Sequence, residues 1–231
     1  MPTPSVSRAH AGVPVSPSQT PYAVLIDGSA LFLASVSRSM DGRRLNYFAF
    51  AEVLTQRLPG LKMPGPGSDS IWTMWTSADP ANAGQSKFLE FAEQRLRWQV
   101  RASMPWQSFV IEPETLFGLN ADATKSGRLV RFDTSIAFAM CRLAETHRLI
   151  VVSDSFTLRE PMMRVNEHWG AKHGPCVHAF FGQACDARWR SVRKSNEEPE
   201  FIDLDEHQAE LFGVESEEVR RPAALPGQPI Y

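Results

Sequence analysis

Short apolar runs alternate with amphipathic stretches along most of the chain. Residues 22–26 and 149–152 are apolar runs without a charged side chain. Such runs are typical of strands that are buried on both faces of a parallel sheet. Weaker patterns of the same kind predict strands at residues 70–75, 108–112, 176–181 and 201–204. Stretches with apolar residues at helical spacing predict helices at residues 48–58, 86–100, 133–146, 161–169 and 187–194.

The alternation of strands and helices predicts an α/β fold. It indicates a Rossmann-like three-layer sandwich with a central, mostly parallel sheet and helices on both faces. The folded domain is expected to span residues 22–205. Residues 1–21 are crowded with Pro and Ser and predict a disordered leader. Residues 206–231 turn acidic and then Pro-rich, which predicts a mobile tail with a short helix near residues 208–212 and a binding segment for a protein partner.

Composition narrows the class of protein without assigning a function. The chain has 231 residues, of which 43% are hydrophobic, enough for one sizeable core. Its formal net charge of -2 means that nucleic-acid binding would depend on a local basic patch. Its 3 cysteines have no CxxC spacing, which suits a reducing compartment. No apolar run reaches the roughly 18 residues of a membrane span and no signal peptide is recognisable, so we expect a cytoplasmic protein without membrane contact.

Three aspartates stand at the junctions of predicted elements. Asp27 and Asp154 each follow a strand, and Asp133 opens a helix. Each has an ordinary structural explanation, since Asp is favoured in turns and as a helix N-cap. Because the carboxyl ends of parallel strands meet at one edge of a sheet, the three carboxylates are also expected to converge there. An all-oxygen cluster of this kind predicts a Mg²⁺ or Mn²⁺ site that activates water for attack on a phosphodiester.

The motifs around these aspartates resemble those of the NYN domain, a branch of the PIN-like metal-dependent ribonucleases. The resemblance covers residues 22–205. It rests on Val24-Leu25-Ile26-Asp27-Gly28-Ser29, Arg131-Phe132-Asp133-Thr134, Val151-Val152-Ser153-Asp154-Ser155 and Pro161-Met162-Met163-Arg164-Val165, with a similar closing segment at 184–204. The resemblance implies a metal-dependent endoribonuclease in which Asp27, Asp133 and Asp154 are the catalytic metal ligands. It also implies a metal-bound water as the nucleophile and products that end in a 3′-hydroxyl.

Three positions depart from the family pattern and support a second hypothesis. Ala30, Ala139 and Phe156 stand where the family has a polar or acidic residue. With these groups replaced, the domain could be catalytically silent and serve as an RNA-binding or protein-interaction scaffold. A third class, a von Willebrand A-like metal-dependent binding module, is less favoured. Its Asp-x-Ser-x-Ser motif begins at Asp27 but fails at Leu31, where the second Ser is required.

Basic residues around the acidic motifs predict contacts with the backbone of single-stranded RNA. They fall in a long loop before the predicted helix 133–146 and in the predicted helix 187–194. Together with two serines of the acidic motifs, the expected RNA-binding residues are Ser29, Lys125, Arg128, Arg131, Ser155, Arg188 and Arg193. The alternative is an ordinary solvated face balanced by nearby acids. Trp189, within the basic helix, is expected to anchor that helix in the core.

Overall fold

The structure is a computed structural model, and its described part contains eight strands and several helices. It describes residues 20–32, 45–78, 83–103, 110–111, 129–130, 132–182, 188–189 and 199–213. The strands are β1 (Tyr22–Asp27), β2 (Ile71–Ser77), β3 (Gln99–Ser103), β4 (Val110–Ile111), β5 (Leu129–Val130), β6 (Arg148–Val152), β7 (Val177–Phe180) and β8 (Glu200–Asp203). The helices are α1 (Tyr47–Arg57), α2 (Ala83–Gln94), α3 (Asp133–Leu143), α4 (Arg159–His173) and α5 (Gln208–Leu211). Residues 28–32 are also helical, and 3₁₀ turns span Phe156–Leu158 and Leu204–His207.

Six strands form one parallel sheet in the order β3-β2-β1-β6-β7-β8. If the strands of this sheet alone are counted, the order is 3-2-1-4-5-6, which is that of doubly wound nucleotide-binding folds. β1 lies in the centre, where Ala23 is in register with Ile71 of β2 and with Leu149 of β6. β4 and β5 form a separate antiparallel pair. The predicted fold class is therefore confirmed.

Alternate residues of the central strands enter two cores on opposite faces of the sheet. Val24 and Ile26 pack in a core with α1, α2 and α5, whereas Ala23 and Leu25 pack in a core with α3 and α4. Because both faces are covered, the central strands need apolar residues at every position, which explains the uninterrupted run in the sequence. The helices thus form the two outer layers of the predicted sandwich.

The helix predicted at residues 86–100 is divided in the structure. α2 ends at Gln94, and the chain then turns through Arg97, whose φ of 58° lies in the left-handed region. β3 follows at once and pairs with β2, so Trp98 is buried in front of a strand instead of on a helix face. Of the strand predicted at residues 108–112, the structure describes Val110–Ile111, which belongs to the pair β4–β5 outside the main sheet, and the other positions lie outside the described residues.

The packed chain extends beyond the predicted boundary at residue 205. Leu211 and Phe212 are buried against the core that contains α1, and the backbone N–H of Asn46 donates to the Leu211 carbonyl at 2.8 Å. At the other end, Thr20 is already buried. Residues 1–19 and 214–231, and with them most of the predicted leader and tail, lie outside the described residues. Within the described ranges, no helix has the length and apolar character needed to cross a membrane.

Candidate functional site

The sheet places its topological switch point between β1 and β6. Helices that follow strands on either side of this point pack on opposite faces, which leaves a crevice at the carboxyl ends of the two strands. Asp27 is the last residue of β1, and Ser153, Asp154 and Ser155 directly follow β6. The sequence prediction that acidic motifs stand at this edge is consistent with the strand order. All four of these residues are buried.

Asp27 is fully buried and is held on both carboxylate oxygens. Its Oδ1 accepts the backbone N–H of Ser29 at 2.9 Å, which is the ordinary capping role expected at the start of a helical turn. Its Oδ2 accepts the hydroxyl of Ser153 at 3.3 Å across the switch point. Asp27 therefore combines a local structural bond with a long-range bond to the loop after β6.

Asp133 has a different environment from that of a helix cap. Phe132 is the N-cap of α3 and makes no side-chain capping bond, and Asp133 is the first helical residue. Its Oδ2 accepts the hydroxyl of Ser155 at 2.7 Å and also bonds to the hydroxyl of Thr157. Its Oδ1 is buried and has no hydrogen-bond partner among the described residues. A buried carboxylate oxygen without a donor is costly, which makes this atom the most unusual one at the edge.

A continuous chain of hydrogen bonds joins Asp27 to Asp133. Ser153 donates its hydroxyl to Asp27 and accepts the backbone N–H of Ser155 at 3.1 Å, and Ser155 in turn donates to Asp133. Asp154 stands between the two serines and is 7% exposed. The structure thus connects two of the three predicted acids through hydroxyl groups. Sequence reasoning did not assign roles to Ser153, which lies within the motif that contains Asp154, or to Thr157, which lies two residues beyond that motif.

The oxygen atoms at this edge have the chemistry of a hard-cation site. Carboxylate and hydroxyl oxygens suit Mg²⁺ and Mn²⁺, and a cation would satisfy Oδ1 of Asp133, for which the described part of the chain offers no hydrogen-bond donor. Across the part of the chain that the structure describes, no three His, Cys, Asp or Glu side chains form a group that could hold a metal ion. The oxygen atoms therefore suit a hard cation in kind, although the described residues do not group three acidic ligands around one point.

His178 supports the loop after β6 from beneath. It is fully buried on β7, and its Nε2 lies 2.8 Å from the Ser153 carbonyl oxygen. Because a carbonyl only accepts, Nε2 carries the ring proton. Burial lowers the pKa of His178 to about 4, against the opposing effect of this hydrogen bond. The neutral imidazole therefore fixes the backbone of the residue whose hydroxyl holds Asp27.

The predicted basic residues lie mostly outside the described ranges. Lys125, Arg128, Arg131 and Arg193 belong to this undescribed part. Arg188 is described and exposed, and its guanidinium carbon lies 4.5 Å from the centre of the Phe156 ring. The neighbouring Trp189 is 1% exposed, which confirms its expected role as a core anchor.

The three departures from the family pattern have different surroundings. Ala30 is 4% exposed in the short helix after β1, and Ala139 is partly buried against the core beside α3 and α4. Phe156 is half-buried and packs edge-on against Trp189, with ring centres 5.1 Å apart. A polar side chain at Ala30 would be desolvated, so the polar residue of the family pattern could be restored there only at a cost in free energy.

Gly28 is needed for close packing at this edge and not for a turn. The helical segment 28–32 begins directly after β1, and Gly28 does not have a positive φ. A Cβ at this position would lie 2.7 Å from the Trp75 carbonyl oxygen and 2.9 Å from Thr76 Cβ. The Asp-Gly pair therefore marks a place where the end of β1 passes tightly against the end of β2.

We expect Gly28→Ala to lower the free energy of unfolding by about 1–3 kcal/mol, because a methyl group would force backbone atoms apart. Gly65→Ala is the matched control, since a Cβ at Gly65 meets no atom within 4 Å. Urea denaturation of both variants and of the wild type measures the effect. Equal stability of the two variants would contradict the steric explanation.

Comparisons with known proteins support the fold alone. No family model matches the chain, and no curated protein matches it either. Among solved structures, the chain is similar to a protein of unknown function from Vibrio parahaemolyticus, with a TM-score of 0.57 and 12% sequence identity. The match covers 86% of this chain and 99% of the other. The likeness extends over nearly all of the Vibrio protein and carries no information about activity.

Proposed function

We propose that this domain is a divalent-metal-dependent ribonuclease of the NYN/PIN-like type, acting on single-stranded RNA. The observation that carries the proposal is the buried Oδ1 of Asp133, which has no hydrogen-bond partner among the described residues, in a carboxylate that is linked to Asp27 through Ser153 and Ser155. The position at a topological switch point supports it, because ligands of doubly wound sheets bind there.

The chain's own residues divide into ligands and positioning groups in this proposal. Asp27 and Asp133, which the hydrogen-bond chain joins, would hold Mg²⁺ or Mn²⁺ together with bound water, and Asp154 stands between the two serines of that chain. Such an ion would supply a water of lowered pKa and neutralise charge on a phosphodiester. Ser153 fixes the Asp27 carboxylate, and Ser155 fixes Asp133, so that neither acid can turn away from the crevice. Preorganised carboxylates of this kind lower the cost of assembling a reactive geometry.

A catalytically silent scaffold is the second candidate. Phe156 favours it, because an aromatic ring packed against Trp189 stands where the family has an acid. The absence of a three-residue ligand group in the described part of the chain favours it as well. On this proposal the domain binds RNA or a protein without cleaving it, and its affinity does not depend on a metal ion.

Cleavage of a labelled single-stranded RNA by the full chain separates the two candidates. We expect slow, Mn²⁺-dependent cleavage that stops when EDTA is added, because few charged ligands hold the ion and its water in place. Mn²⁺ should also raise the melting temperature, by roughly 2–4 °C for each kcal/mol of binding free energy in a chain of this size. If Mn²⁺ produces no cleavage and no shift in melting temperature, the ribonuclease proposal fails and the catalytically silent scaffold is the function.

A further inference from the structure

Two hydroxyl groups of the loop after β6 bond to the same carboxylate oxygen of Asp133. The hydroxyls of Ser155 and Thr157 are both hydrogen-bonded to Asp133 Oδ2, that of Ser155 at 2.7 Å. The two hydroxyl oxygens also lie 2.7 Å from each other. The other carboxylate oxygen, Oδ1, is buried and has no hydrogen-bond partner among the described residues. The support of this carboxylate is therefore one-sided.

Local capping does not explain why these side chains bond to one another. Ser, Thr and Asp near the start of a helical turn usually bond to neighbouring backbone N–H groups. Ser155 is the N-cap of the 3₁₀ turn Phe156–Leu158, but its side chain makes no capping bond. Asp133 follows the N-cap of α3 and does not occupy that position itself. The hydroxyls of Ser155 and Thr157 instead reach a carboxylate that lies 22 and 24 residues earlier in the chain.

The three oxygen atoms of this cluster have too few protons for their mutual contacts. An ionised carboxylate only accepts hydrogen bonds, and each hydroxyl donates one. Two hydroxyl protons therefore serve at most two of the three contacts among Asp133 Oδ2, Ser155 Oγ and Thr157 Oγ1. The third contact brings two electron-rich oxygens together without a proton between them. A cation close to these oxygens would offset their repulsion and would also satisfy Oδ1.

We propose that Thr157 is a positioning residue that, together with Ser155, orients the Asp133 carboxylate towards a divalent cation. Both hydroxyls hold the carboxylate by Oδ2, which leaves Oδ1 for the ion. The inference rests on the proposed function in taking Mg²⁺ or Mn²⁺ as the ligand. Phe156, between the two hydroxyl residues, has no side-chain oxygen, so the support that this loop gives to Asp133 comes from neutral groups.

Binding of Mn²⁺ can be measured without RNA, and therefore separately from cleavage. Titration of the full chain, followed by the electron paramagnetic resonance signal of free Mn²⁺, gives the dissociation constant and the number of bound ions. We expect Thr157→Val to weaken binding about tenfold, because partners that orient a metal ligand typically contribute about 10–100-fold in affinity. Valine keeps the branched shape of threonine, and Thr157 is exposed, so the core is not disturbed. Thr157→Ser keeps the hydroxyl and should bind within about threefold of the wild type.

Thr146→Val is the matched control for the loss of a hydroxyl group. Thr146 is also an exposed threonine with a hydrogen-bonded hydroxyl, which donates to the Leu143 carbonyl at 3.4 Å. It lies beyond the last residue of α3, whereas Asp133 is the first residue of that helix. Its replacement should therefore leave the Mn²⁺ affinity unchanged.

Thr157→Asp tests the same position with an effect of opposite sign. A second carboxylate beside Asp133 would repel it in the metal-free protein, so we expect a lower melting temperature in EDTA. The added negative charge should tighten Mn²⁺ binding about tenfold, because the affinity of oxygen sites for hard cations rises with the charge of their ligands. A threonine that only stabilises the 3₁₀ turn would give no such gain when it is replaced by aspartate.

The outcomes distinguish this inference from the ribonuclease proposal. Mn²⁺ binding that weakens in Thr157→Val and is kept in Thr157→Ser supports the positioning role, even if the wild type cleaves no RNA. Unchanged affinity in both Thr157→Val and Thr157→Asp would overturn it, even if the wild type cleaves RNA. Wild-type protein that binds no Mn²⁺ would overturn it as well. Circular dichroism of all variants in EDTA shows whether a changed affinity reflects loss of folded protein.

Discussion

Asp27→Asn is expected to lower Mn²⁺-dependent cleavage of single-stranded RNA at least about a hundredfold, since even residues behind a metal ligand cost 10–100-fold when replaced. Asparagine keeps the shape of the side chain and its Oδ1 can still accept the Ser29 N–H, so the local cap survives. The change removes the negative charge, which a hard cation requires of its ligands. The initial rate of product formation, measured at saturating Mn²⁺ and RNA, checks the effect.

Asp203→Asn provides a matched control for this substitution. Asp203 also ends a parallel strand, β8, and its carboxylate accepts the backbone N–H groups of Gly182 and Asp205. In the sheet, β7 separates β8 from β6, so Asp203 stands at the end of a different strand from those that carry the hydrogen-bond chain of Asp27. We expect full cleavage activity in Asp203→Asn. Activity that survives equally in Asp27→Asn would show that Asp27 is not a ligand of a catalytic ion.

Acidification is expected to destabilise the domain through His178. Burial lowers the pKa of His178 from 6.5 to about 4, so the folded protein holds the ring neutral. Above about pH 6.5 the ring is neutral in both the folded and the unfolded chain, so its titration does not lower the free energy of unfolding there. As the pH falls from there towards about 4, the unfolded chain binds a proton that the folded protein excludes. The free energy of unfolding therefore falls, by about 3 kcal/mol in total.

Urea denaturation at several pH values between 7 and 4 measures this contribution. Other titrating groups also act in this range, so the difference between the wild type and a variant isolates the histidine. His178→Gln, which can still donate to the Ser153 carbonyl, and His178→Phe, which keeps an aromatic ring, should both have a shallower pH dependence. Their stabilities at neutral pH will differ because their packing differs. A pH dependence as steep as that of the wild type in both variants would contradict the assignment.

The main sheet could be predicted because its central strands carry a strong signal. β1 and β6 are enclosed on both faces, so residues 22–26 and 149–152 are all apolar and the two runs stand out from the sequence. β3 gave no such signal, since it is an edge strand with exposed Arg101 and Ala102. In the turn before β3, Arg97 adopts the left-handed conformation, so no glycine or proline marks the turn in the sequence. The sequence pattern therefore predicts a helix that continues to residue 100.

The candidate site could be predicted only at the level of which residues stand at the edge. Strand ends and the start of α3 placed Asp27, Asp133 and Asp154 at the carboxyl edge, but contacts between their side chains depend on the path of the loop after β6. The short hydroxyl groups of Ser153 and Ser155 reach different acids, and no spacing rule fixes those directions. Metal binding and cleavage of RNA stay predictions.

The central position of β1 has a consequence for synthesis of the chain on the ribosome. Tyr22 of β1 bonds to Arg148 of β6, a separation of 126 residues. At roughly 5–20 residues per second, translation needs about 6–25 s to produce β6 after β1. During that interval β1 can pair with β2 along one edge only. The edge that will later pair with β6 is open to association with neighbouring nascent chains. The first strand of the sheet in sequence order is thus the one whose open edge waits longest for its second neighbour.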